Sequence, residues 1–92
     1  MKYRSRTEII SMILDSVTAG ATKTKIMYKA FLSYTQLKEY LSLLEGNEMI
    51  IYEQGTQLYR LTDKGRKFIN IYSEIGDMVA LKPEGTLAKL II

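Results

Sequence analysis

Ninety-two residues, 47% apolar and 25% charged, suit one small folded domain with little core to spare, not a disordered chain. Cysteine and histidine are both absent, which excludes disulfides, thiolate or imidazole metal sites and the usual general base. The net charge of +3 is unevenly spread, with seven basic and two acidic groups in residues 1–38 and six basic and eight acidic in residues 39–92. A basic half beside a mildly acidic half fits a nucleic-acid module with a separate assembly region; the alternative is chance clustering on a solvated face. No apolar run approaches the roughly 20 residues that span a bilayer. The opening MKYRSRTE leads into an amphipathic pattern, not a signal-peptide core. The expectation is a soluble, cytoplasmic protein with no cofactor and no metal.

In chain order, Ser5-Arg6-Thr7-Glu8 is a capping box. Ile9, Ile10, Ile13, Leu14 and Val17 then recur at helical spacing, and Ala19-Gly20 ends the pattern, predicting a first helix over about 6–18. Lys2, Arg4 and Arg6, on the arm ahead of it, are candidates for phosphate contact or belong to a frayed terminus. Thr22 caps a second helix whose inner face is Ile26, Met27 and Ala30. Lys23 and Lys25 in its first turn oppose the helix dipole, at about 0.3–1 kcal/mol each. They make sense if a phosphate docks there; otherwise they extend into water and the penalty is mostly screened.

Phe31-Leu32 bridges to a third helix, 33–46, capped by Ser33 with Gln36 completing a second capping box and Gly46 as the expected C-cap glycine. Leu37, Leu41 and Leu44 form its inward stripe, with Tyr40 beside it. Tyr34, Thr35, Lys38, Glu39 and Ser42 face outward. A polar, mostly uncharged head suits base edges and phosphates in a major groove, although Glu39 repels phosphate and Tyr34 could equally be a packed aromatic.

Residues 49–53 and 57–61 are β-branched and aromatic runs around a glycine-containing turn, a hairpin. Its tip, 53–57, holds no lysine or arginine; Gln54 and Gln57 could hydrogen-bond in a minor groove, and Arg60 is the nearest cation. Thr62 then caps a fourth helix. Phe68, Ile71, Ile75 and Met78 are spaced 3, 4 and 3 apart, a coiled-coil seam widened by Ile69, Tyr72 and Val79. That surface is too apolar for one chain to leave in water, so a partner helix is expected, the alternative being that it folds back onto its own core. Gly76 weakens the helix interior and Pro83 ends it, leaving an apolar tail, 84–92.

Two helices joined by a tight turn, then a hairpin, is the plan of a winged helix-turn-helix. The expected fold class is therefore mainly α with a small β-hairpin: a winged helix-turn-helix over 1–62, plus a C-terminal dimerisation helix and tail over 63–92. The run GATKTKIMYKAFLSYTQLKEYLSLLEGN followed by YRLTDKG resembles small archaeal winged-helix regulators. More narrowly, it resembles the dimeric chromosomal DNA-binding proteins of Sulfolobus called the ten-a family, over about residues 5–72. The resemblance implies a homodimer paired through the C-terminal helix and binding to double-stranded DNA with limited sequence preference, in association with the chromosome. Carried over residue by residue, it places contacts on Lys23, Lys25, Ser33, Tyr34, Thr35, Gln36 and Lys38. The chain departs from the family's pattern at Gly76 and Pro83, at Phe31 in the turn, and in the unbasic wing tip. Two binding readings remain: a DNA-binding dimer, of chromatin type or a promoter-specific regulator, and a winged helix that binds protein instead. An enzyme is disfavoured, because the serines have no histidine to activate them and no glycine-rich phosphate loop follows a strand.

Overall fold

A computed structural model of the chain describes residues 4–79, with Val79 described for its backbone alone. Lys2, the Pro83 stop and the 84–92 tail lie outside the described residues. The order is α1 (Arg6–Ser16), α2 (Lys23–Lys29), α3 (Tyr34–Gly46), β1 (Ile50–Glu53), β2 (Leu58–Leu61) and α4 (Asp63–Val79). The described residues are thus mainly helical with one antiparallel hairpin, as the patterning implies.

The helix starts follow from local chemistry. Ser5 accepts from the Glu8 amide at 3.0 Å while the Glu8 carboxylate accepts from the Ser5 amide. Ser33 and Gln36 repeat the exchange at the head of α3. Each box satisfies amides that the first turn leaves without partners. Thr62 caps α4 by accepting from the Gly65 amide at 3.0 Å, and its hydroxyl donates to the Glu48 carbonyl at 2.6 Å, tying α4 to the end of α3.

The helix ends depart from expectation. α1 stops at Ser16, two residues early, because the Val17 and Thr18 amides reach back only three residues, to Leu14 and Asp15. The last turn tightens, and Gly20 takes φ +86° beyond it. Gly46 is not the residue that turns the chain after α3; it is the last helical residue, and Glu48 adopts φ +60°. The Glu48 amide donates to Glu45 O at 3.0 Å and the Met49 amide to Leu44 O at 2.9 Å, the paired bonds of a Schellman end. α2 ends the same way: Phe31 lies at φ +54°, its amide on Tyr28 O and the Leu32 amide on Met27 O. In the wing the positive φ (+59°) likewise falls on Gln57 and not on Gly55.

The core is assembled from Ile9, Ile13, Leu14 and Val17 of the first helical segment, Ile26 and Ala30, Leu37, Leu41 and Leu44 of α3, and Ile50 and Tyr59 of the hairpin. Full burial of a side chain of this size is worth about 1.5–3 kcal/mol. Phe68 and Ile69 pack against this cluster, so the first half of α4 rests on the domain. The hairpin pairs Tyr52 with Tyr59. Ala21 adds a bridge on the other edge, exchanging bonds of 3.0 and 2.8 Å with Tyr59. The wing is thereby anchored to the segment that leads into α2. A β-carbon at Gly65 would collide with the Met49 carbonyl and the Leu61 side chain, so this glycine lets α4 start hard against the hairpin, at Met49 just ahead of β1 and Leu61 of β2.

Candidate nucleic-acid interface

The Schellman end of α2 and the capping box of α3 together set the helix-turn-helix geometry. They leave Tyr28, Phe31, Ser33, Tyr34, Thr35, Gln36 and Lys38 exposed, while Lys29, also exposed, lines a hollow with Met12, Asp15 and Ser16 of α1. Lys23 and Lys25 stand exposed on the first turn of α2, whose cap is Thr22 accepting from the Lys25 amide at 3.2 Å. A hollow of about 220 Å³ between α2, α3 and the hairpin is lined by Lys23, Lys38, Leu41, Ser42, Glu45 and Tyr59. It gathers Lys23 and Lys38 from separate helices and includes one carboxylate, Glu45. Lys38 Nζ also lies 5.6 Å from the centroid of the Tyr34 ring, within cation–π range.

The candidate residues differ in what they have free. Tyr34 and Thr35 are exposed at the head of α3. The Gln36 side-chain oxygen is taken by the Ser33 amide and the Ser33 oxygen by the Gln36 amide, leaving the Gln36 amino group and the Ser33 hydroxyl proton to donate outward. Arg4 lies against the end of α2: its guanidinium donates to the carbonyls of Ala30 and Phe31 (the latter at 2.8 Å) and touches the Met12 sulfur. A cation on the last carbonyls of a helix complements its dipole. Arg6 is exposed on α1 and shares a small hollow with Glu39, Tyr40 and Leu43 of α3.

In the wing, Arg60 Nε donates to Glu53 Oε1 at 3.1 Å, and the Thr56 hydroxyl donates to the same oxygen. The Thr56 bond and then the Arg60 bond hold the Glu53 carboxyl below its ordinary value of 4.5. Arg60 is thus partnered inside the wing, while Gln54 and Gln57 are exposed at its tip. Burial, and then the Glu45 charge, raises the Tyr59 hydroxyl above its usual 10.0. Among the described residues, no group of three or more His, Cys, Asp or Glu is placed to hold a metal ion, and no helix is long and apolar enough to cross a membrane.

A second surface lies on α4. Phe68 and Tyr72 are partly buried and stack at 6.2 Å. Ile71, Ile75 and Met78 are exposed, Met78 by 82%. Two exposed aromatics escaped the sequence reading as site residues: Tyr28, 71% exposed, and Phe31, 75% exposed. Their spacing with Tyr34 was visible, but only the left-handed turn sends Phe31 outward.

The winged helix-turn-helix family profile matches residues 3–80. An uncharacterized protein of Methanocaldococcus jannaschii, MJ0287, is 31% identical over 81 residues, spanning 87% of this chain and 81% of its own. The crystal structure of Sso10a-2, described as a DNA-binding protein from Sulfolobus solfataricus, superposes with a TM-score of 0.75 at 19% identity, over 97% of this chain and 98% of that one. With four helices among the described residues, an antiparallel hairpin after the third, and a family match over most of its length, the chain belongs to the winged helix-turn-helix family.

Proposed function

We propose that the protein binds double-stranded DNA as a homodimer, with α3 in the major groove and α4 pairing the protomers. One observation carries the reading. From residue 16 to residue 38 the chain has four lysines and no acidic residue, all four are exposed, and two of them, Lys23 and Lys38, meet in one hollow beside α3, where Lys38 also lies over the Tyr34 ring. Phosphates take the lysines, and Tyr34, Thr35 and the Gln36 amino group offer hydrogen-bonding groups to base edges. Sso10a-2, similar in fold, is described as a DNA-binding protein, which supports the same role here. The role is binding, not catalysis. The apolar row Ile71, Ile75 and Met78 on α4 would pair with its copy. Residues 4–62 would then form the DNA module and α4 the dimer contact, on a chromosome-associated protein.

A protein-interaction module is the second reading, favoured by Glu39 and Glu45 on α3 and by an ion-paired wing. Titration of random and A·T-rich duplexes across a salt series separates the two. The DNA reading expects log affinity to fall with log salt at about −0.9 per phosphate contacted. Equal affinity for the duplexes indicates a chromatin-type protein, and a large difference indicates a regulator with an operator. No binding at low salt overturns the DNA reading in favour of a protein partner.

A further inference from the structure

We propose that Phe31 is a specificity-determining residue: resting on the DNA-binding reading above, it seats its ring on the C5-methyl group of a thymine, so that A·T pairs are chosen by their methyl group in the major groove. The first ground is backbone conformation. Phe31 lies at φ +54°, where an L side chain is strained and a bulky one is rare. Strain of this kind persists where surrounding bonds over-determine it, and it gathers at working sites. Here those bonds are explicit: the Phe31 amide on Tyr28 O at 3.3 Å, the Leu32 amide on Met27 O at 3.0 Å, and the Arg4 guanidinium on the Phe31 and Ala30 carbonyls. The backbone that aims the ring is held from two sides.

The second ground is exposure. The ring is 75% exposed and lies outside the core cluster and the residues packed on it, so folding gains little from it. A position that is both strained and unburied stabilises nothing that glycine would not serve better.

The third ground is place. Phe31 precedes the Ser33 cap of α3 by two residues, at the end of the helix whose first residues read bases. Three residues beyond it the exposed Tyr34 carries Lys38 over its ring, with Nζ 5.6 Å from the centroid, so an aromatic and a cation already stand at the head of the same helix. Among base-edge groups in the major groove, the thymine methyl is the apolar one, and phenylalanine is a side chain that contacts it.

The test compares an alternating A·T duplex with the same duplex carrying deoxyuridine for thymidine, which removes the methyl and keeps every hydrogen-bonding group. Wild type and Phe31→Gly are titrated against both; glycine accepts the left-handed conformation, so the variant keeps its fold, checked by circular dichroism. Wild type should bind the thymidine duplex about fourfold tighter for each methyl contacted, the worth of one buried carbon. Phe31→Gly should bind the two duplexes alike, with an unchanged salt slope because no cation is lost. Equal binding of both duplexes by wild type overturns the methyl contact and leaves DNA binding standing. A thymidine preference retained by Phe31→Gly overturns the assignment to this residue. Failure of wild type to bind either duplex overturns the DNA reading itself.

Discussion

Glu48→Gly should make the protein more stable, although it deletes a whole side chain. Glu48 sits at φ +60°, after the last residues of α3, and its amide and that of Met49 close the helix on Glu45 O and Leu44 O. The left-handed conformation costs an L residue about 1–2 kcal/mol. Glycine removes that cost but gives back about 0.5–1 kcal/mol of unfolded-chain entropy. The Glu48 carboxylate also stands at the negative end of α3, where a like charge costs about 0.3–1 kcal/mol. The side chain is exposed, so no core contact is lost. The net expectation is a gain of about 1 kcal/mol, or a rise in Tm of about 4–8 °C for a domain of this size. Thermal and urea unfolding, followed by circular dichroism at matched protein concentration, measures it; the urea slope should not change. Glu48→Gln, which removes the charge and keeps the strain, should recover only the smaller dipole share. A Glu48→Gly protein no more stable than wild type would refute the claim that this turn is strained.

Gly65→Ala should act in the opposite direction: its methyl would enter the space of the Met49 carbonyl and the Leu61 side chain, costing about 1–3 kcal/mol by overpacking. A urea midpoint equal to wild type would mean that α4 can move away without penalty. Acid should loosen the wing. Glu53 has a depressed folded pKa, so the stability it contributes is complete above its unfolded value near 4.5 and is lost as pH falls through the folded one. Amide resonances of Thr56 and Gln57 should shift in that acidic window in wild type and not in Glu53→Gln; the same titration in both would discount the Glu53 contacts. Ile75→Asp changes a side chain already 53% exposed in the protomer, so the helical fold should survive while sedimentation shows monomers. A dimer that persists would move the contact off this row of α4.

What the sequence displays well is chemistry that acts within four residues. Both capping boxes were legible because a serine and its partner three positions on meet in the first turn whatever the rest of the chain does. The inward stripes were legible for the same reason: Leu37, Leu41 and Leu44 must share a face once a helix forms, and all three are buried. Of the left-handed positions, Gly20 was legible as the glycine that ends the first helical pattern, and the non-glycine ones were not. Gly46 and Gly55 look like the residues to take positive φ, yet Glu48 and Gln57 take it, because the Schellman bonds and the hairpin register decide which residue turns. Contacts between distant positions were equally hidden. Arg4 reaches carbonyls 26 and 27 residues away, Ala21 pairs with Tyr59, and Gly65 meets Met49. Of the candidate site, the lysines and the head of α3 could be named from residue type and spacing. The partnering of Arg60 within the wing depends on the hairpin register, and the outward aim of Phe31 on the left-handed turn, neither of which residue type or spacing displays.

Phe31 and Glu48 form a natural pair of controls, because they occupy the same place in the same motif. Each follows a helix by the same two bonds, each has a positive φ, and each is exposed. Glycine should relieve similar strain at both. Their surroundings differ: Phe31 stands two residues before the Ser33 cap of α3, with its carbonyl held by Arg4, whereas Glu48 stands at the far end of α3, with its carbonyl held by Thr62. If strain were merely tolerated drift, both glycine variants would gain stability and neither would change what the protein binds. If Phe31 is kept strained for its ring, the stability gain at 31 comes with loss of the thymine preference, and the gain at 48 comes without it. The pair therefore separates strain that serves recognition from strain that serves nothing, within one fold and by one kind of substitution.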